Sequence, residues 1–225
     1  MLRDPPSSGG GLAGEARPVQ LADDRAACLD LLSEELLEEL PVDAWRQLFL
    51  GPCYEGIRFV QETQTLVCCE PPTPEWSETD VRTLAARFGG GVERYGPRIV
   101  MAFARPRAAL EVAMLLQRTC TRRLRSALLT APCITACFEV GGESRRLSLG
   151  DAAGAVRACA DNAPPGSIHL CAATWRALGP AALERQTHRA LVTTEYQGDE
   201  VISAFITLAP PPRADLSTFA GLGLV

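Results

Sequence analysis

Hydrophobic and polar positions alternate along the chain with two periods. From Asp23, Leu29, Leu32, Leu36 and Leu40 recur at helical spacing, while Asp30, Glu34, Glu35, Glu38 and Glu39 fill the opposite face. Pro41 ends that helix, and Val42 to Leu50 predicts a second short one with Trp45, Leu48 and Phe49 on one side. Ile57–Val60 and Thr65–Cys69 read as two short strands separated by the polar run Gln61–Gln64. Trp76-Ser77-Glu78-Thr79-Asp80 is a helix start, with Ser77 as cap, Val81, Leu84, Ala85 and Phe88 as the buried face, and Gly89–Gly91 as the stop. The text GVERYGPRIVMAF predicts a hairpin, and Pro106 opens an Ala-rich helix in which Ala108, Ala109, Val112, Ala113, Leu115 and Leu116 are apolar. Pro132–Val140 reads as a strand with Ile134, Ala136, Phe138 and Val140 on one side; Gly141-Gly142 turns it, and Leu147 and Leu149 lie on the return.

The stretch Gly150–Ala177 is the densest. Ala152, Ala155, Val156, Cys159 and Ala160 predict a helix with one face of small residues, ending at Asn162. Pro164, Pro165 and Gly166 form a turn, Ser167–Cys171 a short strand, and Thr174-Trp175 the next helix. Thr187–Tyr196 and Val201–Leu208 close the pattern as two strands joined by Gln197-Gly198-Asp199. The organisation expected is a disordered tail (1–20), a helical extension (21–55), a main domain (56–208), and a Pro-rich, apolar tail (209–225). The helical pair either caps the domain or contacts a partner. The run Asp215–Val225 either packs on the domain or serves as a docking peptide.

With 225 residues, 47% hydrophobic and 22% charged, the composition is that of a globular protein. A net charge of -5 offers no general attraction to nucleic acid, so no nucleic-acid partner is expected; every cation is Arg, which suggests a GC-rich, bacterial source. No apolar run is long enough for a membrane span, and Met1–Glu15 lacks the apolar core of a signal peptide. Nine Cys without a CxxC pair, most within apolar runs, read as reduced core residues of a cytoplasmic protein. His169 and His188 stand in no Ser or Cys constellation, which argues against a hydrolytic triad.

The order of these elements, the hairpin text and the layout of Gly150–Ala177 together resemble the class III nucleotidyl cyclase homology domains, over about Thr65–Leu208. The resemblance implies an α+β fold with a ferredoxin-like βαββαβ core, helices on one face, and a site built between two such domains. It places Glu70 at the first metal-ligand position, Gly96-Pro97 where a Gly-Asp carries the second, and Glu93 where a Lys reads the base. The family's Asn–Arg pair falls on Ala153 and Arg157, or, without gaps, on Gly154 and Ala158; Gln117 and Thr174 fit family positions. The Asn is missing in either register. Pro97 offers no metal ligand, and Glu93 inverts the charge of the Lys it replaces.

What this implies is a catalytically inactive, regulatory or protein-interaction module with no cofactor, working with a protein partner or as a homodimer through the helix at Gly150–Ala160, with a nucleotide as a possible ligand. The alternatives are a subunit of a heterodimeric cyclase supplying Arg157, or a nucleotide sensor without turnover. Arg157 is expected to bond a carboxylate, Glu70 or Glu139. Arg118, Arg122, Arg123 and Arg125 either offset a helix dipole or bind phosphates.

Overall fold

The computed structural model describes residues 21–37, 40–179, 183 and 190–208. The two tails, with Asp215–Val225, and the segment containing Thr187 and His188 lie outside the described residues. The helices are α1 (Leu21–Leu37), α2 (Val42–Phe49), α3 (Glu78–Arg87), α4 (Pro106–Thr119), α5 (Asp151–Asn162) and α6 (Ala172–Leu178). The strands are β1 (Arg58–Cys69), β2 (Gly90–Arg94), β3 (Ile99–Phe103), β4 (Ser126–Val140), β5 (Glu143–Leu149), β6 (Ser167–Cys171), β7 (Ala190–Gln197) and β8 (Glu200–Leu208).

The sheet runs β2-β3-β1-β4-β6-β8-β7, with β5 paired to β4 as well. The first four strands in chain order are mutually antiparallel neighbours, and α3 and α4 are the crossovers between them. This is the ferredoxin-like βαββαβ core of an α+β fold. β4 carries the rest: Ser126–Leu128 pair in parallel with Ile168–Leu170, while Ile134–Val140 pair with β5.

Two strand predictions are corrected. Ile57–Val60 and Thr65–Cys69 are not separate strands, because Gln61–Gln64 stay in register with Ile134–Ala131 and β1 runs unbroken for 12 residues. The strand expected from Pro132 begins at Ser126 and passes through Pro132, making β4 15 residues long. Local sequence is a poor guide in both cases: of the polar run in β1 only Gln64 is buried, Gln61 and Thr63 being exposed, and it is the ladder with β4 that keeps the run in strand form.

Helices lie on both faces of the sheet, not on one. Strand residues alternate sides, so Val67, Cys69, Ile99, Met101 and Leu128 pack with α3 and α4, while Leu66, Cys68, Val100 and Ala127 pack with α5. The buried stripe of α5 is Ala153, Val156 and Ala160, with Ala152 and Cys159 partly covered; Ala155, expected inside, is exposed. α1 and α2 form a third cluster with Ile57, Phe59, Ala136, Phe138, Leu147 and Leu149, and so cap the β4–β5 end of the sheet. Arg25 of α1 fastens the cap by donating from Nη1 to the Ile57 carbonyl at 3.0 Å. No helix among the described residues is long and apolar enough to cross a membrane.

Ser77 caps α3 in a full capping box, its hydroxyl accepting from the Asp80 N–H while the Asp80 carboxylate accepts from the Ser77 N–H. Replacement Ser77→Ala removes a partner of an otherwise orphaned donor. The expected result is a melting temperature lower by about 2–4 °C, which differential scanning calorimetry reads directly.

Candidate functional site

Two polar groupings interrupt the apolar layers. The first lies where β1 ends. Glu70 exchanges backbone contact with the segment before β4, its N–H donating to the Arg125 carbonyl at 3.1 Å. Its carboxylate accepts from the Arg125 N–H at 3.0 Å through Oε2. Arg98, one residue past Pro97 in the turn between β2 and β3, brings Nη1 to 3.4 Å from Glu70 Oε1 and pairs through Nη2 with Asp161 near the end of α5. Arg122 Nη2 stands 3.6 Å from Glu70 Oε2, and Arg125 Nη1 donates to the Asp161 carbonyl at 3.1 Å. Both oxygens of Glu70 therefore face cations or an N–H of this chain.

Arg98 occupies no motif position of its own; the position that the resemblance marks is its neighbour Pro97, which is exposed in the turn. Its adjacency to the hairpin tip was the available signal. The Arg122 and Arg125 side chains do not cap a helix: α4 ends at Thr119, ahead of both, and only Arg118 lies in its last turn. They serve instead as partners for Glu70 and for the end of α5.

Arg157 is not bonded to Glu70, contrary to expectation, and it makes no hydrogen bond or ion pair with Glu139 either; its Nε is buried without a partner among the described residues. The reason is positional, since Arg98 and Arg122 reach the carboxylate from the two chain segments that flank it. Ala153 lies against the sheet at 2% exposure, so it cannot present a side chain outward. Gly154 and Ala158 are on the exposed side of α5.

Arg98 and Arg157 also act on Cys68, whose thiol burial nevertheless pushes up to about 12. Burial likewise raises Cys69 above the ordinary thiol range and carries Cys120 up to about 12. All nine cysteines are free, and these three stay as neutral thiols, poor nucleophiles and poor metal ligands. Among the described residues no three His, Cys, Asp or Glu side chains gather at metal-binding distance. His169, in β6, stacks on Phe205 with ring centres 4.6 Å apart.

The second grouping centres on Glu93. β2 carries a bulge there, since Val92 pairs with Met101 and Arg94 with Val100, which leaves Glu93 as the extra residue. Val92 packs toward the α3–α4 side, whereas Glu93 reaches across to β5. Its Oε1 accepts from the Ser148 N–H at 3.0 Å and from the Ser148 hydroxyl at 2.7 Å. That hydroxyl also lies 3.0 Å from Gln64 Oε1, so one proton faces two acceptors. Gln64 Nε2 donates to Thr135 at 3.0 Å and to Glu62 at 2.7 Å, and Glu62 pairs with Arg146. Arg94 on the other side of the bulge pairs with Glu35 of α1. Glu93 is 3% exposed and its Oε2 has no partner among the described residues. Burial pushes its carboxyl above the ordinary range, against the lowering influence of Ser148, Arg94 and Arg146. Glu93 borders a cavity of about 670 Å³ between β2 and the β4–β5 hairpin.

The chain matches no protein-family model and no curated protein sequence. Among solved structures it is similar to adenylate cyclases of Trypanosoma brucei in their monomeric state, at 17% identity and a TM-score of 0.49, covering 68% of this chain and 92% of that one. It is also similar to the adenylyl cyclase CyaB of P. aeruginosa, at 11% identity and a TM-score of 0.48, over 68% and 97% of the two chains. A third is the guanylate cyclase domain of RhGC from Catenaria anguillulae in complex with GTP, at 13% identity and a TM-score of 0.47, over 67% and 98%. Each likeness is one of architecture.

Proposed function

We propose that this chain is a cyclase-homology module without cyclase activity of its own, acting as a regulatory or protein-interaction unit, cytoplasmic and dimeric. The observation that carries the reading is the environment of Glu70. A divalent cation in a nucleotidyl-transfer site needs several oxygen ligands to bridge and neutralise phosphate oxygens. Here the carboxylate of Glu70, at the end of β1, is engaged by Arg98, Arg122 and the Arg125 N–H, Asp161 is taken up by the same Arg98, and the hairpin tip offers Pro97. A metal would have to displace a guanidinium that already balances the charge, so the residues present do not fit a metal pair.

A specific observation favours a second reading, a subunit that completes a heterodimeric cyclase. Arg157 has a buried Nε without a partner among the described residues, which leaves that N–H open to a group outside this chain. Purified protein incubated with ATP or GTP and Mg²⁺ or Mn²⁺ is expected to form no cyclic nucleotide above a no-protein background. Formation of cyclic product by the chain alone would overturn both readings. In a mixture with a metal-bearing cyclase domain, the first reading expects no added activity; activity that Arg157→Ala abolishes would establish the second.

A further inference from the structure

We propose that the outward face of the α1–α2 cap docks a basic amphipathic helix of a partner protein. This deepens the reading of the chain as a protein-interaction unit and rests on it; what it adds is the surface and the chemistry of what binds there. The starting point is a concentration of apolar side chains outside the core. Nine large apolar side chains are exposed among the described residues, and five of them, Leu31, Leu37, Val42, Leu50 and Tyr54, belong to the helical extension. Leu37, Val42 and Leu50 are 64%, 65% and 76% exposed. The inward stripe of α1, formed by Cys28, Leu29, Leu32 and Leu36, already packs in the cap's own core, so the exposed residues are a second apolar set that the fold does not cover. Large apolar side chains gathered in this way mark a contact surface.

Charge says what kind of partner fits. Residues 21–55 hold nine Asp or Glu against two Arg, a net of -7, whereas the whole chain carries -5. The excess negative charge therefore sits in this extension, and the remainder of the chain is net positive. Of the two cations, Arg25 is turned to the Ile57 carbonyl. At about 3.6 residues per turn, α1 sets Asp30 and Glu34 between Leu31 and Leu37 on its outward side. Asp43 follows Val42 in the first turn of α2. These three carboxylates are exposed and enter no ion pair among the described residues, whereas Glu35 is held by Arg94. A second copy presenting the same face would set carboxylate against carboxylate, and an anionic membrane would be repelled. A helix with a leucine stripe flanked by Lys or Arg meets both features at once, its apolar side on Leu31, Leu37 and Val42 and its cations on Asp30, Glu34 and Asp43.

The test is fluorescence anisotropy of a labelled Leu/Lys peptide, about four helical turns long with every Leu on one face, titrated with the full chain. Its controls are a scrambled peptide of the same composition and a Leu/Glu peptide of the same pattern. The Leu/Lys helix is expected to bind with a Kd of about 10–100 μM, with both controls silent. Leu37→Ser and Glu34→Arg change exposed side chains, so both variants should melt as the parent does, and each should weaken binding by about tenfold. The proposal fails if no peptide binds, or if the scrambled peptide binds as well as the amphipathic one, since the attraction is then charge alone. It fails equally if both variants bind as the parent does; the peptide is then held elsewhere, and the reading as an interaction unit survives while this surface does not. Cyclic nucleotide formed by the chain alone, which strikes the wider reading, is measured in a separate assay and does not alter what the titration reads. Self-association that Leu37→Ser abolishes, or binding to phosphatidylcholine vesicles, with the peptide silent, would assign the face to a second copy or to lipid and overturn the proposal.

Discussion

Gly90→Ala is expected to destabilise the protein by about 1–3 kcal/mol, although it adds a single methyl group to a strand at the sheet's edge. Gly90 is the direct cross-strand partner of Phe103. Phe103 is buried, and its ring lies over the glycine: a Cβ on Gly90 would stand 2.3 Å from two ring carbons and 2.7 Å from the Ala102 carbonyl oxygen. The ring cannot swing clear, because it is packed among the α3–α4 core residues, and the carbonyl belongs to the β2–β3 ladder. Phe103→Ala alone should cost about 3–5 kcal/mol through lost burial and the cavity left behind. The double variant should cost less than the sum, since the methyl then enters the space vacated by the ring. Urea denaturation of the four proteins in this cycle measures the coupling. Additive costs would show that Gly90 and Phe103 do not share that space.

A larger effect than that of Gly90→Ala is expected at Gln117, near the end of α4. Its side-chain amide is buried, and the two Nε2 protons are shared among the Leu124 carbonyl at 2.6 Å, the Ser126 hydroxyl at 3.2 Å and the Ser167 carbonyl at 3.3 Å. One side chain thus ties α4 to the starts of β4 and β6, where the sheet has its parallel pair. Gln117→Ala removes these bonds and opens space, at a cost of about 2–4 kcal/mol. Gln117→Glu keeps the shape but turns the donor into an acceptor facing two carbonyls. The new carboxyl, buried against acceptors, should have a raised folded-state pKa. A raised acid pKa means that the folded state holds the proton more tightly than the unfolded one, so stability is greatest below the ordinary Glu range and falls as pH rises toward the folded pKa. Gln117→Glu should therefore be worse than Gln117→Ala at about pH 8 and recover at about pH 5. Denaturant midpoints at the two pH values decide this, and an unchanged gap would mean that the carboxylate has found a donor.

Much of the architecture was legible because local physics and the fold agree. The Ser77 cap, the Pro106 helix start, the Ser167–Cys171 strand and the two closing strands each rest on residues whose backbone preferences hold in any context. The βαββαβ core is an implication of the family resemblance, and the strand order bears it out. The misreadings have a common cause: Gln61–Gln64 and the run from Ser126 through Pro132 are poor strand text, yet each is held as strand by the β1–β4 ladder, Gln61–Gln64 against Ile134–Ala131 and Ser126–Pro132 against Cys69–Thr63. Ala155 was placed inside α5 and lies outside because helical spacing limits the buried stripe to one face, and which face it is depends on how the helix sits on the sheet.

The site divides along the same line. Glu70, Glu93, Pro97 and Arg157 are singled out by the family resemblance, because each is a residue type that either bears or fails to bear chemistry at a position the resemblance defines. What each one touches was decided by tertiary structure. Arg98 and Arg122 reach Glu70 from segments 28 and 52 residues away in sequence, Glu93 meets Ser148 across a separation of 55, and Arg157 is left without the partner proposed for it. Hydrophobic periodicity records which side of an element is buried; it carries no record of which charged side chains the packed elements bring within a few ångströms. The chain's pattern determined its strands, helices and their succession, while the pairing of its charges, and the unsatisfied oxygen of Glu93, came into being only when distant segments were brought together.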